Sequence, residues 1–193
     1  AWLLDGDRSL LDQALGERRA RAATLLLLGL PGSVYLYQGE ELGLGEVTEL
    51  PTDVLDDPVW RRSGHSEKGR DGCRVPIPWS VDGDSAGFGS NGSWLPQPDG
   101  WGDRSVEAQD GRPGSMLELY RSALRLRRER LSSDLGIQWL TSPPGTLMFR
   151  RGSGVRCIVN FGTDPVPLDG EVLLSSVPLE DGHLPMDASA WVD

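Results

Sequence analysis

Lysine is nearly absent from this chain. Lys68 is the one lysine among 193 residues, and every other basic residue is arginine. Positive charge as a whole is scarce: 19 basic side chains face 29 acidic ones, for a net charge of -10. A phosphate-binding face needs clustered cations, so this balance argues against a nucleic-acid binder or an anionic-membrane binder. Cysteine is as rare. Cys73 and Cys157 make no disulfide framework, and no Cys/His spacing typical of a metal centre occurs. The expectation is two reduced thiols in a cytoplasmic protein without a cofactor or metal site. His65 and His183 are isolated and read as loop or surface histidines. No run is long enough to cross a membrane. Ala22 to Tyr37 is nearly all apolar, but its 16 residues fall short of the ~20 a spanning helix needs, and Gly29, Pro31 and Gly32 interrupt it. No secretory signal is visible, and there is no initiator Met: the chain opens on Ala1-Trp2 as if inside a structural unit, which predicts a fragment.

What is present is turn-forming and aromatic. With Gly 25 and Pro 14 the chain is rich in loop, and its seven Trp outnumber its three Tyr and three Phe. Ser9 and Asp12 have capping-box spacing, with Ser9 as the expected N-cap of an amphipathic helix over 10–28. Gly29 reads as its C-cap, and Pro31 forbids continuation. Ser33-Val34-Tyr35-Leu36-Tyr37 then reads as a strand buried on both faces, as in a parallel sheet. From Gln38 to Gly114 no long periodic segment appears, yet Trp60, Trp79, Trp94 and Trp101 lie within it. An ordered aromatic loop after a parallel strand is where an active site is built. Ser115 to Glu118 forms a second capping box, ahead of a helix whose apolar face is Leu117, Tyr120, Ala123, Leu124 and Leu131. Short strand-like segments follow: Gln138–Leu140, Thr146–Phe149, Val155–Phe161 and Glu171–Leu174. They predict a small all-β domain from about Leu135.

Gly83-Asp84-Ser85-Ala86-Gly87 matches a nucleophile elbow, and Asp169 and His183 follow in triad order. That motif needs a strand before it and a helix after it, and neither is legible, so a flexible loop is the expectation. Asp82-Gly83-Asp84 opens like a calcium loop, but Ala86 and Ser93 stand where ligands are required. Glu40 and Glu41 lie at the catalytic end of the expected strand. A glycosidase needs two opposed carboxyls, whereas adjacent residues point apart, so the favoured role for both is loop-bracing. Arg70-Asp71-Gly72-Cys73-Arg74-Val75-Pro76-Ile77-Pro78-Trp79 is the densest polar cluster. Arginine forks bind hydroxyl and carboxylate oxygens, and Trp offers a flat face to a sugar. An internal Arg–Asp pair pinning the loop explains the same residues equally well.

The stretch from Gly29 through Tyr37-Gln38-Gly39-Glu40-Glu41-Leu42 to Gly43 resembles the last barrel strand of α-glucosidases in the α-amylase superfamily, glycoside hydrolase family 13. The loop from Gly69 to Trp79 is similar to that family's R-D-x-x-R-x-P-x-x-W loop, matched at Arg70, Asp71, Arg74, Pro76 and Trp79. Ser105 to Gln109 resembles the segment leading into the last barrel helix, and Val159-Asn160-Phe161 a strand of the C-terminal β-domain. The resemblance implies an α/β plus all-β architecture: the C-terminal end of a (β/α)8 TIM barrel over residues 1–134, then an antiparallel β-sandwich domain over 135–193. It implies a retaining glycosidase acting on a small oligosaccharide, whose Asp, Glu and Asp lie in the missing N-terminal barrel portion. Arg70 would bind the terminal glucose, Asp71 and Arg74 would brace the loop, and Trp79, Trp94 and Trp101 would be pocket walls. Glu40 and Glu41 are then structural. Two alternative readings stand beside this one: a transglycosylating or isomerising relative, such as a sucrose or trehalose isomerase, and a non-catalytic relative comparable to the ectodomain of amino-acid transporter heavy chains, against which the intact motif at Arg70 argues. Linkage preference is not readable from this stretch.

Overall fold

The computed structural model of the protein describes residues 3–4, 7–131 and 136–193; Trp2 and the expected domain start at Leu135 lie outside the described residues. The chain mixes helices with sheets whose strands all pair antiparallel among the described residues. By packing it divides into two compact units, one formed by 1–36 with 118–193 and the other by 37–117.

In the first unit, strands β1 (Leu3–Leu4) and β2 (Asp7–Leu11) pair ahead of helix α1 (Gln13–Gly29). Ser9 therefore lies inside a strand and does not cap the helix. Asp12 does so, its side chain accepting from the Leu15 N–H at 2.8 Å. Gly29 is the last helical residue and not the cap: Leu30 closes the helix through its N–H to the Leu26 and Leu27 carbonyls. The last turn of α1 contains no cation of its own. Arginines distant in sequence supply that charge. Arg127 donates to the Leu28 carbonyl, to Leu30 O at 2.7 Å and to Gly32 O at 2.6 Å. Arg151, only 2% exposed, donates to Gly29 O at 2.7 Å, Leu131 O at 3.2 Å and Gly136 O at 3.0 Å. Both put positive charge where a helix terminus presents unpaired carbonyls.

The main sheet takes the order β3 (Ile137–Trp139), β4 (Thr146–Arg151), β5 (Arg156–Asn160), β9 (Ala188–Val192), β7 (Val172–Ser175). A separate ladder joins β6 (Val166–Pro167) to β8 (His183–Leu184). Strand β9 is an interior strand, buried along its whole length, yet its Ala-Ser-Ala-Trp-Val sequence carries little strand signal. Its alternation explains the residue choice. Ser189 and Trp191 face α1, where Ser189 Oγ donates to Ala22 O at 2.9 Å and Trp191 Nε1 to Leu25 O at 3.0 Å. Ala188, Ala190 and Val192 face the opposite way, into a core shared with Ile158, Val166 and Leu184. A Cβ on Gly29 would stand 3.2 Å from both Phe149 Cζ and Trp191 Nε1, so the end of α1 lies almost in contact with the sheet. The charged turn that interrupts the apolar pattern of α1 is also used: Arg19 pairs with the buried Asp187 at 3.0 Å, and Arg21 donates to Ser176 O at 2.6 Å. Asn160 closes the turn after β5. Its side chain donates to Asp164 O at 2.9 Å and Leu184 O at 3.1 Å and accepts from the Gly162 N–H.

The expected buried strand at Ser33–Tyr37 is not formed. No strand pairing occurs there, and Tyr35 is 92% exposed. A strand exists only where a neighbouring strand completes its ladder, and none of the described residues supplies one. Helix α4 (Met116–Leu126) does follow Ser115, then widens into a π turn over Arg127–Leu131. Leu117, Tyr120, Ala123 and Leu131 of its expected apolar face are buried, joined by Met116 and Leu119.

The second unit, 37–117, contains only short elements: α2 (Pro58–Arg62), α3 (Val106–Gln109) and several 3-10 turns. Order comes instead from a small apolar cluster of Leu50, Leu55, Val75 and Leu95, against which Trp60 and Trp101 pack. Buried Gln109 adds a polar clasp, donating to Leu42 O at 3.0 Å and Arg104 O at 2.9 Å and accepting from the Leu117 N–H. Ser85 sits in a 3-10 turn between bends, not between a strand and a helix. His65 packs against Trp60 with ring centroids 4.7 Å apart and the rings tilted by 41°.

Candidate functional site

The arginine-rich loop is built on two buried carboxylates. Asp71 is 1% exposed; its Oδ2 accepts from the Asp56 and Asp57 N–H groups at 2.7 and 2.8 Å, and its Oδ1 from Arg74 at 3.3 Å. Asp57 reciprocates. It caps α2 by accepting from the Val59 N–H at 2.8 Å, accepts from the Arg70 N–H at 3.0 Å, and pairs with Arg74 at 2.9 Å. Two chain segments about fourteen residues apart are thereby locked together. Sequence reasoning missed Asp57. Its signal was the Asp57-Pro58 dipeptide, an N-cap followed by proline at the first helical position. Glycine is required twice beside it. A Cβ on Gly72 would stand 2.3 Å from Val47 O, and one on Gly69, whose φ is +70°, would stand 2.5 Å from Asp57 Cγ.

The two arginines of the motif differ in state. Arg74 is committed to Asp57 and Asp71. Arg70 is exposed, and among the described residues its guanidinium has no hydrogen-bond or ion-pair partner. Its carbon lies 5.8 Å from the centre of the Tyr37 ring. The arrangement thus presents one fixed backbone, one aromatic rest and five unspent donors.

The other candidate residues are dispersed over the unit. Trp79 and Trp94 are 50% and 57% exposed. The Trp79 main chain is clamped by Ala86 O and the Glu107 N–H, so its ring projects from an anchored backbone. Trp101 lines a shallow hollow of about 110 Å³ together with Tyr37, Glu40, Glu46, Cys73 and Val75. This is well below the roughly 300 Å³ at which ligand clefts begin, so this hollow is a wall and not an enclosure. Glu41 accepts from the Gly39 N–H at 2.9 Å and closes its own turn; Glu40 borders the hollow. Burial raises the Cys73 thiol above its ordinary value, with Glu46 beside it adding to the effect, and pushes buried Cys157 up to about 12. Both are free thiols. Among the described residues no group of three or more His, Cys, Asp or Glu is placed to hold a metal, and no helix is long and apolar enough to cross a membrane.

Asp57 sets the acid limit of this loop. The N–H groups of Val59 and Arg70 hold its carboxyl below the usual carboxylate range, and the Arg74 charge adds to them against the opposing effect of desolvation. A carboxyl with a depressed folded value stabilises the fold above its unfolded value near 4. That contribution is lost as pH falls through the folded value. Loop order is therefore expected to persist to about pH 4 and to decline below it. Tryptophan fluorescence against pH checks this, with Asp57→Asn removing the acid transition; an unchanged acid transition in that variant would refute the assignment.

Comparison with known proteins finds relatives in both sequence and structure. The chain is 33% identical over 189 residues to the Probable alpha-glucosidase of Rhizobium meliloti (strain 1021), covering 91% of this chain and 33% of that protein. It is 32% identical over 202 residues to Trehalose synthase/amylase TreS of Mycobacterium tuberculosis (strain ATCC 25618 / H37Rv), covering 95% of this chain and 29% of that protein. In structure it resembles the alpha-glucosyl transfer enzyme XgtA with a TM-score of 0.71 and 34% identity, covering 92% of this chain and 36% of that one. The chain thus spans about a third of the length of these relatives. The family described as Alpha amylase, catalytic domain, matches residues 7–134, which hold the whole Asp57–Arg70–Asp71–Arg74 assembly. This chain therefore belongs to the α-amylase family, glycoside hydrolase family 13.

Proposed function

We propose that this chain is the C-terminal part of a retaining α-glucosidase that removes terminal α-linked glucose from short oligosaccharides. Residues 1–134 complete a (β/α)8 barrel begun by the preceding part of the parent, and 135–193 form its β-sandwich domain. The exposed, unpaired Ser33–Tyr37 segment supports this, since such a stretch needs neighbouring strands. The parent's two reacting carboxyls lie outside this stretch. One attacks the anomeric carbon to form a glycosyl-enzyme; the other protonates the leaving oxygen and then activates water. This chain supplies Arg70 to bind the terminal glucose. Trp79, Trp94 and Trp101 supply walls, and a cytoplasmic setting suits its two free thiols.

The observation that carries the reading is the division of labour between the arginines: Arg74 is spent on the loop, and Arg70 is presented with its donors unused. In the full-length parent, Arg70→Ala is expected to lower kcat/KM for p-nitrophenyl α-D-glucoside by about 100-fold, with Arg70→Lys recovering part of it. An unchanged kcat/KM in Arg70→Ala would sink the assignment. The second reading, glucosyl transfer or isomerisation, is favoured by the names of two relatives, an alpha-glucosyl transfer enzyme and a trehalose synthase/amylase. Product analysis separates the two: free glucose marks hydrolysis, and new glucosides mark transfer.

A further inference from the structure

We propose that Tyr37 is a positioning residue for Arg70, holding its guanidinium ready for a sugar hydroxyl; this rests on Arg70 being the glucose-binding arginine. Both side chains start from pinned backbones. The Arg70 N–H is held by Asp57 Oδ2 at 3.0 Å. Tyr37 precedes a turn in which its carbonyl accepts from the Glu40 N–H at 3.2 Å, while Glu41 fixes the Gly39 N–H at 2.9 Å. Between these fixed points the Arg70 guanidinium lies over the Tyr37 ring at 5.8 Å.

The loop carboxylates do not compete for that cation. Asp71 is filled by two backbone N–H groups and Arg74, and Asp57 by two backbone N–H groups and Arg74. An arginine side chain free in solution loses substantial rotamer entropy when it binds. A ring beneath it restricts that freedom in advance without using any of its five donors, because the attraction is to the face of the π system. An acidic partner in the same place would have held the arginine as firmly but occupied the donors the sugar needs. A half-exposed aromatic is the residue type that positions a guanidinium and leaves its hydrogen bonds available.

The test is a double-mutant cycle in the full-length parent, read as kcat/KM for p-nitrophenyl α-D-glucoside. Tyr37→Leu keeps bulk and removes the ring, and is expected to cost about three- to tenfold. Tyr37→Phe keeps the ring and is expected to recover most of that loss. In an Arg70→Ala background Tyr37→Leu is expected to cost nothing further, since its effect acts through Arg70. Equal costs of Tyr37→Leu with and without Arg70 would overturn the positioning role while leaving Arg70's own role standing. An Arg70→Ala variant of full activity would instead overturn the underlying site reading, and this proposal with it. Should Tyr37→Leu fail to fold, Tyr37→Trp in the same cycle decides: coupling to Arg70 at least as strong as that of tyrosine supports the proposal, and no coupling overturns it.

Discussion

Trp191→Ala is expected to destabilise the sheet-bearing unit by about 4 kcal/mol. Trp191 is 1% exposed and is among the largest side chains that the fold buries completely. It stands on the interior strand β9, paired to Cys157 across the β5 ladder, and its ring lies between that strand and α1. Truncation removes its apolar contacts and leaves a cavity that neighbours cannot close. Its indole nitrogen, Phe149 and Cys157 all crowd Gly29 at the end of α1, but the two strands beside β9 are held in register by the sheet. The hydrogen bond to Leu25 O is lost as well. Trp191→Phe separates the two contributions: it retains most of the apolar volume and loses the N–H, for an expected cost of about 1–2 kcal/mol. Urea denaturation followed by far-UV circular dichroism measures both. A loss below ~1 kcal/mol for the alanine variant would show that α1 does not depend on this contact.

Asp71→Ala is expected to cost about 3 kcal/mol, confined to the loop unit, and, on the role proposed for Arg70, to lower the parent's kcat/KM at the same time. The cost is high because three donors lose one acceptor. The Asp56 and Asp57 N–H groups are left without their partner, and Arg74 keeps only Asp57. Function follows because Asp57 holds the Arg70 N–H, so the turn that fails is the turn that carries Arg70. Asp71→Asn keeps the shape, but its amide nitrogen turns a donor toward either Arg74 or a backbone N–H, so an intermediate loss is expected. Hydrogen exchange read over residues 52–62 tests this directly, with faster exchange at Asp56 and Asp57 as the expected result. Unchanged protection there would mean that the apolar cluster around Leu50 and Leu95 orders the loop without the carboxylate.

The sequence alone determined those features whose cause is local. The apolar spacing of α1 and the Pro31 that follows it made one helix legible, and the capping box at Ser115 another. The β-branched and aromatic runs at 146–151 and 156–160 made two strands legible. The motif from Arg70 to Trp79 pointed to its family because its residue types and spacing are rare.

Tertiary structure decided whatever depends on a distant partner. Ser9 has the spacing of a cap, but pairing of β2 with β1 draws it into a strand, and Asp12 takes the role. Strand β9 is built from small residues of low strand propensity. It is a strand because two neighbours complete its ladder and because α1 packs against it, accepting hydrogen bonds from Ser189 and Trp191. Ser33–Tyr37 shows the converse: an apolar run with every mark of a buried strand stays unpaired where no neighbour completes it. Asp57 and Asp71 are the clearest case at the site. Which of two arginines is spent and which is presented depends on a carboxylate thirteen residues before Arg70, and a hydrogen bond across that separation leaves no periodicity in the sequence.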